Sequence, residues 1–188
     1  MDFITDTITA TTMHELEKTQ KEFWNISRKT GCLINTFIKM MDIKSVIEIG
    51  TSNGYSGLWI TKALKQTGGK LTTIEYYEKR QKIAIENFRK CGVLDIVRLL
   101  QGDACSILSA LDKNETFDLA FIDANKSEYI KYFNLIKPHL KKKALIVADN
   151  ITSHPEKVQS FIDAIDSDDS FQYEIIEVPG GILVAYRD

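Results

Sequence analysis

The sequence predicts an α/β protein: a seven-stranded, mostly parallel sheet with helices on both faces and an antiparallel strand supplied by a C-terminal hairpin. Three observations predict it. Short apolar, β-branched runs alternate with segments of helical period, the pattern of a doubly wound sheet with right-handed crossovers. The run Ser45-Val46-Ile47-Glu48-Ile49 is apolar but for one acid, as suits a central strand buried on both faces, and it leads straight into Gly50-Thr51-Ser52-Asn53-Gly54. Near the end, Pro179-Gly180-Gly181 separates two strand-like runs and marks a hairpin.

The elements follow in order. Residues 1–12 are rich in threonine and small residues and read as a mobile arm. Helical spacing runs over 13–24 and again over 27–41, where Leu33, Ile34, Phe37, Ile38 and Met41 share a face. After the first strand, a helix over 56–66 ends at Thr67-Gly68-Gly69, a C-cap and turn. Strands over 71–75, 96–100, 117–123 and 144–149 alternate with helices over 76–91, 105–111, 126–140 and 155–165, the last opened by Pro155. Strands over 173–178 and 182–186 close the chain. The three lysines at 141–143 read as a solvated loop.

With 188 residues the chain reads as one domain, 1–41 as arm and helices and 42–188 as the core. A net charge of −2 carries no global signature for nucleic acid or membrane. Cys32, Cys91 and Cys105 are odd in number and lack CxxC spacing, so they read as thiols in a reducing compartment. The first residues carry early acids and no long apolar run, neither a leader nor a span. The expected location is the cytoplasm.

The glycine loop narrows the ligand. Gly50 and Gly54 allow a tight turn and a close approach, and the helix opening at Tyr55-Ser56 turns its free N–H groups toward whatever lies over the loop. The spacing is Glu-x-Gly-x-x-x-Gly: no GxGxxG dinucleotide fingerprint, and no lysine for a P-loop. Glu48 in a buried strand needs a cationic or hydrogen-bonding partner. Parallel strands bind ligands at their carboxyl ends, and all five such ends carry polar or glycine features: Glu48 and Gly50, Glu75, Gly102-Asp103-Ala104, Asp123, and Asp149-Asn150. Glu75, one strand from the loop, is placed to accept from both hydroxyls of a ribose, and Ser56 to bind a carboxylate.

Glu48-x-Gly50-x-x-x-Gly54-Tyr55-Ser56 resembles motif I of the class I, S-adenosylmethionine-dependent methyltransferases, in the catechol and caffeoyl-CoA O-methyltransferase branch. The resemblance extends over most of the chain, through Asp123-Ala124-Asn125-Lys126 and Asp149-Asn150. It implies a Rossmann-like class I methyltransferase fold and S-adenosylmethionine as cofactor, its α-amino group a partner for Glu48. Cofactor contacts are expected from Ile26, Glu48, Gly50, Thr51, Gly54, Tyr55, Ser56, Glu75 and Tyr76, and from Gly102, Asp103, Ala104 and Asp123; Tyr76 reads equally as a surface aromatic. Asp123, Asp149 and Asn150 are expected to hold a divalent cation (Mg²⁺, with Ca²⁺ or Mn²⁺ as alternatives), oxygen donors suiting a hard ion. Asp123 and Lys126 are the catalytic pair, the lysine removing the acceptor's proton.

The acceptor side departs from the family. Ile151-Thr152-Ser153-His154 stands where many members have a tryptophan-containing loop, and the N-terminal region is short. His154 reads as a second acid or base or as an incidental loop residue. A small-molecule acceptor is expected, with an RNA nucleoside hydroxyl and a non-catalytic cofactor-binding protein as alternatives. The resemblance also implies a homodimer.

Overall fold

The computed structural model describes residues 6–188. Asp6 accepts from the Thr9 N–H at 2.8 Å and caps α1 (Thr7–Lys18). The expected mobile arm therefore gives way to helix from Thr7 onward; residues 1–5 lie outside the described residues. The reason is the cap, an Asp6–Lys62 ion pair at 2.7 Å, and the burial of Thr9, Thr12 and Met13. A short α2 (Gln20–Phe23) ends at Trp24, which takes a left-handed conformation. Ser27 then caps α3 (Arg28–Met40) by accepting from the Thr30 N–H.

The sheet comprises β1 (Ser45–Ile49), β2 (Lys70–Glu75), β3 (Val97–Gln101), β4 (Phe117–Ile122), β5 (Leu140–Asp149), β6 (Phe171–Ile176) and β7 (Ile182–Arg187), in the order β3-β2-β1-β4-β5-β7-β6. Six strands run one way, and β7 lies antiparallel between β5 and β6. The crossover helices are α4 (Tyr55–Thr67), α5 (Glu78–Lys90), α6 (Ala104–Ser109), α7 (Tyr129–Ile136) and α8 (Pro155–Asp166). The sequence of topological steps reverses at β1, where the chain goes outward to β2 and β3 and then returns to β4. Such a reversal leaves a crevice beyond the strands' carboxyl ends.

Each sheet face has its own core. Ile47 and Ile49 of β1 pack with Tyr129, Phe133 and Phe161 under α7 and α8. Val46, two residues before Glu48 and so on its face, packs with Ile34, Trp59 and Phe88 under α3, α4 and α5. Glu48 is thereby carried into an apolar layer.

Besides the arm, the helix expected over 13–24 is interrupted at Thr19 between α1 and α2, and two further expected elements differ. The helix over 126–140 is broken into a 3-10 turn (Lys126–Glu128), α7 and a second 3-10 turn (Lys137–His139). Asn125 caps the first turn, and Pro138, with no N–H, ends the α-helical ladder. The lysines at 141–143 belong to β5, which starts at Leu140 opposite Phe117 and passes a register shift before Leu145 pairs with Leu119. Leu140 is buried while the lysines protrude, and Lys141 meets Asp118 at 2.8 Å.

Candidate functional site

The loop between β1 and α4 is held by its backbone. The N–H groups of Gly50 and Thr51 both donate to the Ile74 carbonyl, and Ser52 donates its N–H to Glu75 Oε2 at 2.7 Å. Gly50 sits at φ +106°, and a Cβ there would stand 2.2 Å from the Asp123 carbonyl oxygen. The first motif thus packs directly on the fourth strand's end. Gly54, at φ +86°, opens α4, and Asn53 Oδ1 takes the Tyr55 N–H.

Beneath this loop Glu48 is fully buried. Ser56 Oγ donates to its Oε1 and Thr73 Oγ1 to its Oε2, both at 2.6 Å, and Thr51 Oγ1 lies 2.5 Å from Thr73 Oγ1. Burial pushes the Glu48 carboxyl up to about 7, against the two hydroxyl donors; the charges of Asp123 and Glu75 push the same way. No sequence motif marks Thr73. The parallel β1–β2 register sets it opposite Glu48.

A cavity of about 520 Å³ spans the strand ends. Gly50, Thr51, Tyr55 and Ser56 form its floor, and Ile26 comes from the loop before α3. Glu75 and Tyr76 line one wall with Gly102, Asp103 and Ala104; Asp123 and Lys126 line another. The structure therefore gathers most of the expected residues around one space. Glu48, Gly54, Asp149 and Asn150 do not line it. Asp103 also serves as the N-cap of α6, accepting from the Ser106 N–H and Oγ, which hold its carboxyl below the usual range.

The mouth was not legible in the sequence. Trp24, 71% exposed, stacks on Arg80 with the guanidinium 4.7 Å from its ring centroid, and Arg80 also lies over Tyr77. Ser52 Oγ donates to the Phe23 carbonyl at 2.9 Å, fastening this segment to the glycine loop. The helical spacing expected over 13–24 runs through Phe23 and Trp24, and nothing in it marks Trp24 as the left-handed exit from the helix.

Lys126 Nζ donates to Asp123 Oδ1 at 2.9 Å. Beyond them Asp149 is buried, and its Oδ1 has no hydrogen-bond partner among the described residues. Burial first, and the Asp123 charge second, push the Asp149 carboxyl up to about 8, with Lys126 acting against them. Among the described residues no group of three or more His, Cys, Asp or Glu side chains is placed to hold a metal ion. The expected set has two carboxylates and an amide. His154 stands at the exposed N-cap position of α8, its Nδ1 3.0 Å from Ser153 Oγ.

Residues 4–186 match the family model described as O-methyltransferase. The chain belongs to the O-methyltransferase family. Among curated relatives of this O-methyltransferase-family chain, a catechol O-methyltransferase of Niastella koreensis is 33% identical over 129 residues, 68% of this chain and 58% of the relative. A catechol O-methyltransferase of Mycobacterium tuberculosis is 31% identical over 126 residues, 67% of this chain and 56% of the relative. The matches thus span under two thirds of those relatives' lengths. Among solved structures, the O-methyltransferase from Bacillus cereus in complex with SAH aligns with a TM-score of 0.87 at 21% identity, covering 100% of this chain and 94% of that one. TomG of Streptomyces achromogenes, in complex with SAM, aligns at 0.85 and 23% identity, covering 98% and 91%. These two carry the fold. No helix among the described residues is long and apolar enough to cross a membrane.

Proposed function

We propose that this chain is an S-adenosylmethionine-dependent O-methyltransferase of the cytoplasm that methylates one hydroxyl of a small catechol-like or vicinal-diol acceptor with the help of a divalent cation. The observation that carries the reading is the single cavity joining the polar ends of β1, β2 and β3 to the Asp123–Lys126 pair. Glu75 accepts two backbone N–H groups, one on each oxygen, and keeps lone pairs on both for the cofactor's ribose. Asp103 and the Ala104 amide suit the adenine edge, and Ser56 at the start of α4 suits the methionine carboxylate. Ile26 covers the same end.

When bound, S-adenosylmethionine supplies an electrophilic methyl group on a sulfonium. Asp123, Asp149 and Asn150 would hold the cation; the orphaned Asp149 oxygen and the crowding of two carboxylates suit such an ion. The ion would lower the cost of ionising an acceptor hydroxyl. Lys126, after its ammonium has released a proton to solvent at the open cavity, would take that hydroxyl's proton onto the free Nζ lone pair. The walls around Ile26 and Asp123 fix the acceptor oxygen against the methyl group.

The test is calorimetric titration of S-adenosylmethionine with and without Mg²⁺, on wild type and Asp149→Ala, followed by catechol turnover. Cofactor binding with a Mg²⁺ signal that the substitution abolishes is the expected result. Binding without that signal would remove the cation from the scheme; no binding would remove the whole reading.

A further inference from the structure

The hydroxyl network under the cavity floor has a fixed proton inventory. Its contacts are Ser56–Glu48, Thr73–Glu48 and Thr51–Thr73, each at 2.5–2.6 Å. Each contact needs one proton between its oxygens. With Glu48 ionised, the only protons present are one on each of the three hydroxyls, and the three contacts use them all. Ser56 and Thr51, the two members that line the cavity, then show it lone pairs only. They would repel a carboxylate over the start of α4. Adding one proton to Glu48 changes the count. Glu48 donates to Ser56, or to Thr73 and through it to Thr51, and one hydroxyl proton turns into the cavity.

Direct engagement of Glu48 by a cationic ligand group is disfavoured by its position. The side chain is fully buried and does not line the cavity, with Ser56 and Thr51 standing between. No ion pair to Glu48 occurs among the described residues. The charged groups around it are acids, Glu75 at the end of β2 and Asp123 just past β4, the latter paired with Lys126.

We infer that binding of the cofactor's carboxylate loads a proton onto Glu48, which acts as a neutral positioning residue that arms Ser56 or Thr51 as donor. The inference rests on the proposed cofactor reading. Burial already brings the Glu48 carboxyl to about 7, so the proton is available near neutral pH. Thr73 completes the relay and receives a role that no motif marks.

The test uses S-adenosylhomocysteine, titrated at pH 7.5 in two buffers of different ionisation enthalpy. Wild type should take up a fraction of a proton approaching one, whereas 5′-methylthioadenosine, which lacks the amino-acid end, should take up none. Glu48→Gln mimics the neutral acid, its amide donating to Ser56 and its oxygen accepting from Thr73. It should bind S-adenosylhomocysteine without proton uptake, and its Kd should change less than about twofold between pH 7.5 and 8.5. Wild type should weaken by a factor approaching ten over that range. Proton release by wild type, equal proton counts for the two ligands, or a tenfold loss of affinity in Glu48→Gln would overturn the inference while leaving the cofactor site intact. Absence of any S-adenosylhomocysteine binding to wild type would overturn both.

Discussion

Lys126 and Gly50 separate chemistry from architecture at the scale of single residues. Lys126 pairs with Asp123, and the pair is largely covered, at 19% and 12% side-chain exposure. Lys126→Met keeps the packing and removes the proton acceptor. Turnover of a catechol should fall by about 10²–10⁴-fold, while the Kd for S-adenosylhomocysteine stays within about twofold. A comparable loss in both would place Lys126 in cofactor binding instead. Gly50→Ala should fail differently. The added Cβ meets backbone, not a movable side chain, at 2.2 Å, and φ +106° is strained for any L side chain. A cost of about 2–3 kcal/mol lowers Tm by roughly 4–12 °C in a chain of this length, measurable by calorimetry, and weakens cofactor binding because the end of β4 must shift. The residues of this site were legible because they sit at strand ends, which apolar runs locate well. Glu48's partners were less so. Ser56 follows in the chain, but Thr73 reaches Glu48 only through the β1–β2 register.

At the scale of elements, the segment Phe23–Asn25 behaves as a strap across the cavity mouth. Across the mouth it is held by one hydroxyl, Ser52 Oγ on the Phe23 carbonyl, and one stack, Trp24 on Arg80, while Asn25 Nδ2 anchors its other side to the Leu16 carbonyl at 2.9 Å. Both holds are individually small, near 0.5–1.5 kcal/mol for the bond and 0.5–1 kcal/mol for an exposed cation–π contact. The double variant Ser52→Ala/Trp24→Ala should therefore change Tm by only a few degrees. Its dissociation rate for S-adenosylhomocysteine should rise about three- to tenfold, read by stopped-flow fluorescence. An unchanged rate would make the strap decorative. The strap escaped sequence reading because neither of its holds follows a period. The same limit explains the broken helix over 126–140, where caps at Asn125 and Pro138 override an apolar pattern that continues through Phe133 and Ile136. It also explains the lysines of β5. Charge argues for a loop, whereas the pairing of Leu140 with Phe117 decides for strand. Asp6, by contrast, leaves a readable signal, an acid three residues before Thr9, which outweighs the loop-like composition of the first residues.

For the molecule as a whole, the buried acid sets a slope in stability with pH. Glu48 has an ordinary value of 4.5 and a folded value of about 7. A carboxyl raised by folding contributes stability that is fully present below 4.5 and is lost as pH rises through about 7. At about 1.4 kcal/mol per pH unit, the loss is on the order of 3 kcal/mol. Asp168 has the opposite sign. Lys137 and Ser170 hold it near 2, so its contribution is complete above 3.8 and is lost only as pH falls through about 2. The two windows do not overlap, and Glu48's share of the loss in Tm of the ligand-free protein between pH 5 and 8 should be roughly 6–12 °C. Glu48→Gln should remove Glu48's share of that slope, since the amide cannot ionise, while the buried Asp149, pushed up from 3.8 to about 8, leaves a share of the same sign. The carboxyl face of the sheet thus carries a permanent cost, an acid held under the loop that ligand binding must address. If the bound cofactor retains a neutral Glu48, its stabilisation of wild type should shrink as pH rises from 7 to 8.5 and stay constant in Glu48→Gln. Tm measured with saturating S-adenosylhomocysteine across that range decides the point. A wild-type increment that instead grows with pH would mean that the ligand stabilises the ionised acid, and the proton would then leave on binding.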